Sequence, residues 1–86
     1  MTTESEGDRF LRNVLIAIGN SGEAALAEEA RRLLGDESPL VRGAAVWALS
    51  RLLPAAAFQQ LAQSRARGEP DPDVRREWTA TETPVS

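Results

Sequence analysis

Arg9, Arg12, Asn13, Arg42, Arg75 and Arg76 are the residues whose type and place could do chemistry in this chain. A guanidinium fork binds phosphate oxygens bidentately and stacks on bases. Presented together, these groups would hold a shaped RNA through phosphate and 2′-hydroxyl contacts. They are therefore the nucleic-acid-binding candidates. A second role competes for two of them. An Arg near a helix start can pair with an Asp in an adjacent turn, here Asp36 or Asp8, and brace the packing. Arg12 and Arg42 are open to either role, whereas Arg9, Arg75 and Arg76 are expected on the surface. The Asn13 amide can bond a loop backbone or RNA. Trp47 and Trp78 could stack on a base, but inter-helix packing is the simpler expectation. Trp47 also lies within reach of Arg51 for a cation–π contact.

The residue types that are missing narrow the chemistry further. The 86 residues include no Cys, no His, no Tyr and no Lys, so all ten basic residues are Arg. Thiolate nucleophiles, cluster ligands and thiolate zinc sites are excluded, as are imidazole acid–base groups and Schiff-base lysines. Only Asp and Glu remain for proton transfer, and none of their spacings suggests a metal site. The chain by itself reads as non-catalytic. Its net charge of −3 opposes a sequence-blind attraction to nucleic acid but leaves room for a local Arg face. The polar, acidic start is unlike a signal peptide, and the run Val14 to Ile18 is too short to span a bilayer. A soluble, cytoplasmic chain is expected.

Helical periodicity must position these groups, since no alternating strand pattern is present. Residues 1–7 read as a disordered lead-in and 79–86 as a flexible tail, leaving 8–78 as one small domain. A first helix from about Asp8, its cap, to Ile18 places Phe10, Leu11, Val14, Leu15 and Ile18 on one face. Gly19 to Gly22 should then break it. A second helix from about Gly22 to Leu34 follows, capped by Asn20 or Ser21, with Leu26, Ala30, Leu33 and Leu34 buried. Glu28 and Arg32 form an i,i+4 pair on it, and Gly35 supplies the C′ residue. Ser38 caps a third helix with Pro39 at its first position, running to Leu53. Its inner face holds Val41, Ala44, Ala45, Ala48 and Leu52. A fourth, from Pro54 to about Arg67, buries Phe58, Leu61, Ala62 and the stem of Arg65. Asp71-Pro72 starts a fifth, from Val74 to Trp78. Glu28, Glu29, Glu69, Asp71 and Asp73 read mostly as solvated face and linker.

One unit recurs along the chain. Asp8-Arg9-Phe10-Leu11-Arg12-Asn13 aligns with Ser38-Pro39-Leu40-Val41-Arg42-Gly43 and with Asp71-Pro72-Asp73-Val74-Arg75-Arg76. A period near thirty residues holds one helical hairpin, the mark of an α-solenoid. The expected architecture is an all-α, right-handed stack of about two hairpins and a partial third. The cap–Pro–x–Val–Arg start resembles HEAT-like repeats of the phycobilisome-lyase type.

The segments Arg9 to Gly22 and Ser38 to Leu49 further resemble the C-terminal HEAT-like domain of epoxyqueuosine reductase. That resemblance implies a larger parent, an oxidoreductase with cobalamin and 4Fe–4S clusters that acts on the tRNA anticodon in queuosine biosynthesis. The repeats would hold the tRNA, and this chain would be a piece of that parent. No cluster ligand, cobalamin segment or catalytic acid maps onto this sequence. The alternative is a protein-interaction module. There the apolar girth of the first helix docks a partner protein or the parent's catalytic region.

Overall fold

The computed structural model describes residues 6–80, which form five α-helices joined by turns and short 3-10 segments. They are α1 (Glu6–Ser21), α2 (Ala27–Arg32), α3 (Pro39–Leu52), α4 (Ala55–Arg65) and α5 (Pro72–Ala80). The lead-in before residue 6 and the tail beyond residue 80 lie outside the described residues. Among the described residues there is no strand, and the all-α short solenoid is the observed fold. No helix among them is long and apolar enough to cross a membrane.

α3 is the centre of the molecule. α1 packs along one side of it, α5 along another, and α2 with its following 3-10 turn against a third. The hydropathy of α3 explains this. Val41, Ala45, Val46, Ala48 and Leu49 are all inaccessible to solvent, a wider arc than one amphipathic stripe. Ala44 and Leu52, expected with them, are only half-buried. The core continues through Leu15 and Ile18 of α1, Ala30 of α2 and Phe58 of α4 to Val74 and Trp78 of α5. Trp78 is its largest fully buried side chain and stacks on Phe58 with ring centroids 5.4 Å apart.

Several boundaries differ from the sequence expectation, each for a local reason. α1 begins at Glu6, so Asp8 is inside the helix and not its cap. It also runs through Gly19 and Asn20 to Ser21, and Gly22, at φ 71°, makes the turn. Gly19 stays helical because tertiary packing requires it there. A Cβ on Gly19 would lie 2.5 Å from Cζ3 of Trp47, so the indole can sit only on a bare backbone. Asn20 therefore caps nothing. The Ser21 hydroxyl accepts the Glu23 N–H at 3.0 Å and donates to the Ile18 carbonyl.

The second helix is shorter than expected. Only Ala27–Arg32 is α-helical, between 3-10 turns at Ala24–Leu26 and Leu33–Gly35. Gly35 ends the second turn without a left-handed conformation, so it is not a C′ glycine. Leu26 is 37 % exposed and leaves the buried stripe, and Arg32 pairs with Glu29 in place of Glu28. Phe10 is 66 % exposed, while Leu11 and Val14 pack partly against the core. Arg65, whose stem was expected inside, is an exposed residue.

Candidate functional site

The starts of α3 and α5 are built alike. Pro39 and Pro72 occupy first-turn positions, where a missing N–H costs nothing. An acid two residues before each cap position folds back on the cap backbone. The Asp36 carboxylate accepts the Ser38 N–H at 3.0 Å, and the Glu69 carboxylate accepts the Asp71 N–H at 2.9 Å. Ser38 stands at the expected cap position but its hydroxyl makes no cap hydrogen bond. Asp71 does cap, accepting the N–H groups of Asp73 and Val74 at 2.8 and 3.2 Å.

The register also repeats at the arginines. Arg42 Nη1 donates to the carbonyl six residues back, that of Asp36, at 2.9 Å, and Arg75 Nη1 to the carbonyl of Glu69 at 2.7 Å. Arg42 goes further. Its Nη1 also reaches the Glu37 carbonyl, and its Nε and Nη2 grip both oxygens of Glu69 at 2.9 and 2.8 Å. The pair is nearly dry, with side chains 13 % and 8 % exposed. Hydrogen bonding to Glu69 holds the Arg42 guanidinium above its ordinary pKa. For Glu69, burial pushes the pKa up, but the hydrogen bonds from Arg42 and the Asp71 amide outweigh it, and the carboxyl titrates below the usual range.

Arg42 is thus a brace between successive hairpins. Its carboxylate partner is Glu69, and Asp36, the expected one, contributes only a carbonyl. Glu69, read from sequence as solvated linker, is the buried acid of the structure. The signal that could have found it is its place in the repeat. Glu69 stands two residues before Asp71, as Asp36 stands before Ser38 and Glu6 before Asp8.

Of the remaining candidates, Arg75 meets Arg42 at Glu69, and Arg12 lies beside Asn13. Arg9, Asn13, Arg75 and Arg76 are exposed, and Arg76 pairs with Asp73 at 3.1 Å on the surface of α5. Arg12, the register equivalent of Arg42, makes no brace. Its Nη2 lies 3.5 Å from the side-chain Oδ1 of Asn13, and its Nε is buried without a hydrogen-bond partner. Arg12 lines a cavity of about 610 Å³ on a side of α3 away from α2 and α4, whereas Arg42 lines a separate cleft with Glu69 and Trp78. The two arginines therefore line different clefts.

The larger cavity is an open groove between α1 and α5 with α3 as its floor. Leu40, Gly43, Ala44 and Trp47, spaced i, i+3, i+4 and i+7, form that floor. Trp47 is half-buried there, held by Gly19 beneath it and by the Arg51 guanidinium 5.6 Å from its ring centroid. Arg12 and Ile16 stand on the α1 wall, and Asp73 and Glu77 on the α5 wall. The wall charges are opposite and the floor is apolar. Among the described residues no group of acids could hold a metal ion.

Comparison with known proteins agrees with this architecture at the level of the family. Neither a curated protein nor a solved structure matches the chain. A family model for HEAT repeats matches residues 2–81, nearly the whole sequence, and with the hairpin stack and its repeated helix starts this places the chain in the HEAT-repeat family.

Proposed function

We propose that this HEAT-repeat chain is a non-catalytic module that docks another protein. HEAT repeats suggest such a role, and the observation that carries it here is the open apolar groove over α3. A groove with Leu40, Ala44 and Trp47 at its floor offers area to an apolar partner, the dominant favourable term in association. Its acidic α5 wall and the net charge of −3 disfavour phosphate. The test places a diazirine amino acid at position 40, in the groove, and separately at Gln60 on the exposed face of α4. Protein adducts formed in the cell of origin from position 40 and not from position 60 are expected. Adducts indifferent to position would overturn the reading.

A second reading is favoured by the exposure of Arg9, Asn13, Arg75 and Arg76 near the starts of α1 and α5. It makes the chain the tRNA-holding accessory domain of an epoxyqueuosine reductase, whose cobalamin and clusters would lie in the parent's other regions. Beyond that exposure, its support is the residue resemblance. It requires binding of an anticodon stem-loop that weakens steeply with salt and is lost in Arg12→Ala/Arg42→Ala. The Arg42 brace makes that double variant a folding risk, so Arg75→Ala/Arg76→Ala is the second test.

A further inference from the structure

We propose that the occupant of the groove is an amphipathic helix of a partner protein with one acidic edge and one basic edge. The inference rests on the protein-docking reading above and names the partner's chemistry. Four observations lead to it.

The floor residues 40 to 47 advance along α3 by about 10 Å, two helical turns, and present a row at helical spacing. Ala44 at its middle is small, so a second helix axis can approach α3 closely, whereas Gly43 beside it already faces Val74 and Glu77 of α5, 3.9 Å from where its Cβ would stand. A strand or loop would leave the row half-filled and bring unpaired backbone groups onto an apolar floor.

Arg12 has a buried Nε with no hydrogen-bond partner. A buried donor left unsatisfied is a standing cost that an arriving acceptor removes. The molecule shows what such a group takes: Arg42, in the same register, holds a carboxylate through Nε and Nη2 together. A Glu or Asp on the near edge of the incoming helix would do for Arg12 what Glu69 does for Arg42. On the opposite wall Glu77 makes no ion pair among the described residues, and Asp73 beside it meets only the exposed Arg76. A Lys or Arg on the far edge would face them. Complementary walls select the partner more than they tighten it, because a like charge on either edge is penalised.

The probes are three helical peptides with one apolar face of Leu at i, i+3, i+4 and i+7. One carries Glu on one edge and Lys on the other, one carries Glu on both, and one carries Lys on both. Reversing a mixed pair is not a control, because the helix can turn end for end. Titration against the full chain is expected to show the mixed peptide binding at least about tenfold tighter than either uniform one. Arg12→Glu should swap the order so that the all-Lys-edged peptide binds best. Should that variant unfold by circular dichroism, Arg12→Met serves and should bring the mixed and all-Lys peptides level. Three equal affinities, or no saturable binding at millimolar peptide, would overturn the proposal. So would an anticodon stem-loop RNA that displaces the mixed peptide and itself depends on Arg12. Position-40 protein adducts alongside failed peptides would remove the helical occupant while leaving protein docking in place.

Discussion

Truncating Glu69 to Ala takes the acceptor from three N–H donors at once: Arg42 Nε, Arg42 Nη2 and the Asp71 amide. Removing one partner of a buried ion pair costs about 3–5 kcal/mol, since the other charge is left without compensation. Arg42 keeps its two carbonyl partners through Nη1 and retains some access to water, which places the cost near the low end, about 3 kcal/mol. For a domain of this length, total stability at ~0.05–0.15 kcal/mol per residue comes to roughly 4–13 kcal/mol. The variant should therefore keep roughly 1–10 kcal/mol of that stability. Glu69→Gln keeps one carbonyl oxygen toward the guanidinium and should lose less, about 1.5–2 kcal/mol.

Urea unfolding read by tryptophan fluorescence is the assay. Trp78 is buried against Phe58, and the chain contains no Tyr to compete. With a urea slope of about 1.5 kcal/mol/M, Glu69→Ala should lower the midpoint by about 2 M. The cycle with Arg42→Met isolates the pair. The double variant should be less destabilised than the sum of the singles by about 2 kcal/mol, within the range for directly bonded residues. A loss below about 0.5 kcal/mol in Glu69→Ala, typical of a surface substitution, would refute the brace. Additivity of the two singles within about 0.3 kcal/mol would do the same.

Acid should act through the same pair. Because the folded-state pKa of Glu69 is lowered, its contribution is complete above the ordinary Glu value of about 4.3 and is lost as pH falls through the lower folded value. The urea midpoints of wild type and Glu69→Gln should therefore differ near neutral pH and converge in acid; a constant gap would contradict this. Gly19→Ala should destabilise by about 1 kcal/mol through the clash with Trp47, despite the better helix propensity of Ala. In a Trp47→Ala background the same change should stabilise by up to about 1 kcal/mol, and no change of sign would disprove the clash. Asp71→Ala should cost about 1 kcal/mol and Ser38→Ala close to nothing, because only Asp71 makes cap bonds; thermal melts of the two would show it. Arg12→Met should change stability by less than about 0.5 kcal/mol where Arg42→Met costs several times more, and comparable losses would mean that both arginines brace.

What the sequence could show was whatever a single segment decides. Pro39 and Pro72 mark helix starts because proline's fixed φ and missing N–H act locally, and both lie at the observed N-termini of α3 and α5. Arg51 is four residues from Trp47 on one helix, so their contact was readable from spacing. Gly19 was not readable as a helical residue. Its local preference is to break the helix, and the opposing demand comes from Trp47, a residue of another helix. Glu69 was hidden for a similar reason. Between Arg67 and Pro70 it has the surroundings of a linker, and only the return of Arg42 from 27 residues away makes it a core acid. The groove depends on how three helices sit together, which no period in one of them encodes.

The contrast between Arg12 and Arg42 shows how one repeated letter comes to do two jobs. Both stand at the same place in the aligned sequence units, although α1 begins two residues before Asp8 and α3 one residue after Ser38, and each has an acid of the next unit further along the chain. For Arg42 that acid is Glu69, beyond the eleven-residue α4. For Arg12 it is Asp36, reached through a hairpin whose second helix has only six α-helical residues between two 3-10 turns. Asp36 is held by the Ser38 amide and takes no bond from Arg12. A brace needs the acid delivered to the guanidinium by a hairpin of the right length; without delivery, the same side chain keeps an unmet donor. The first hairpin does not make that delivery, and Arg12 faces the groove instead. Arg12, with an unmet Nε, therefore lines the apolar groove over α3, and the repeat's irregularity is what gives that groove a basic wall.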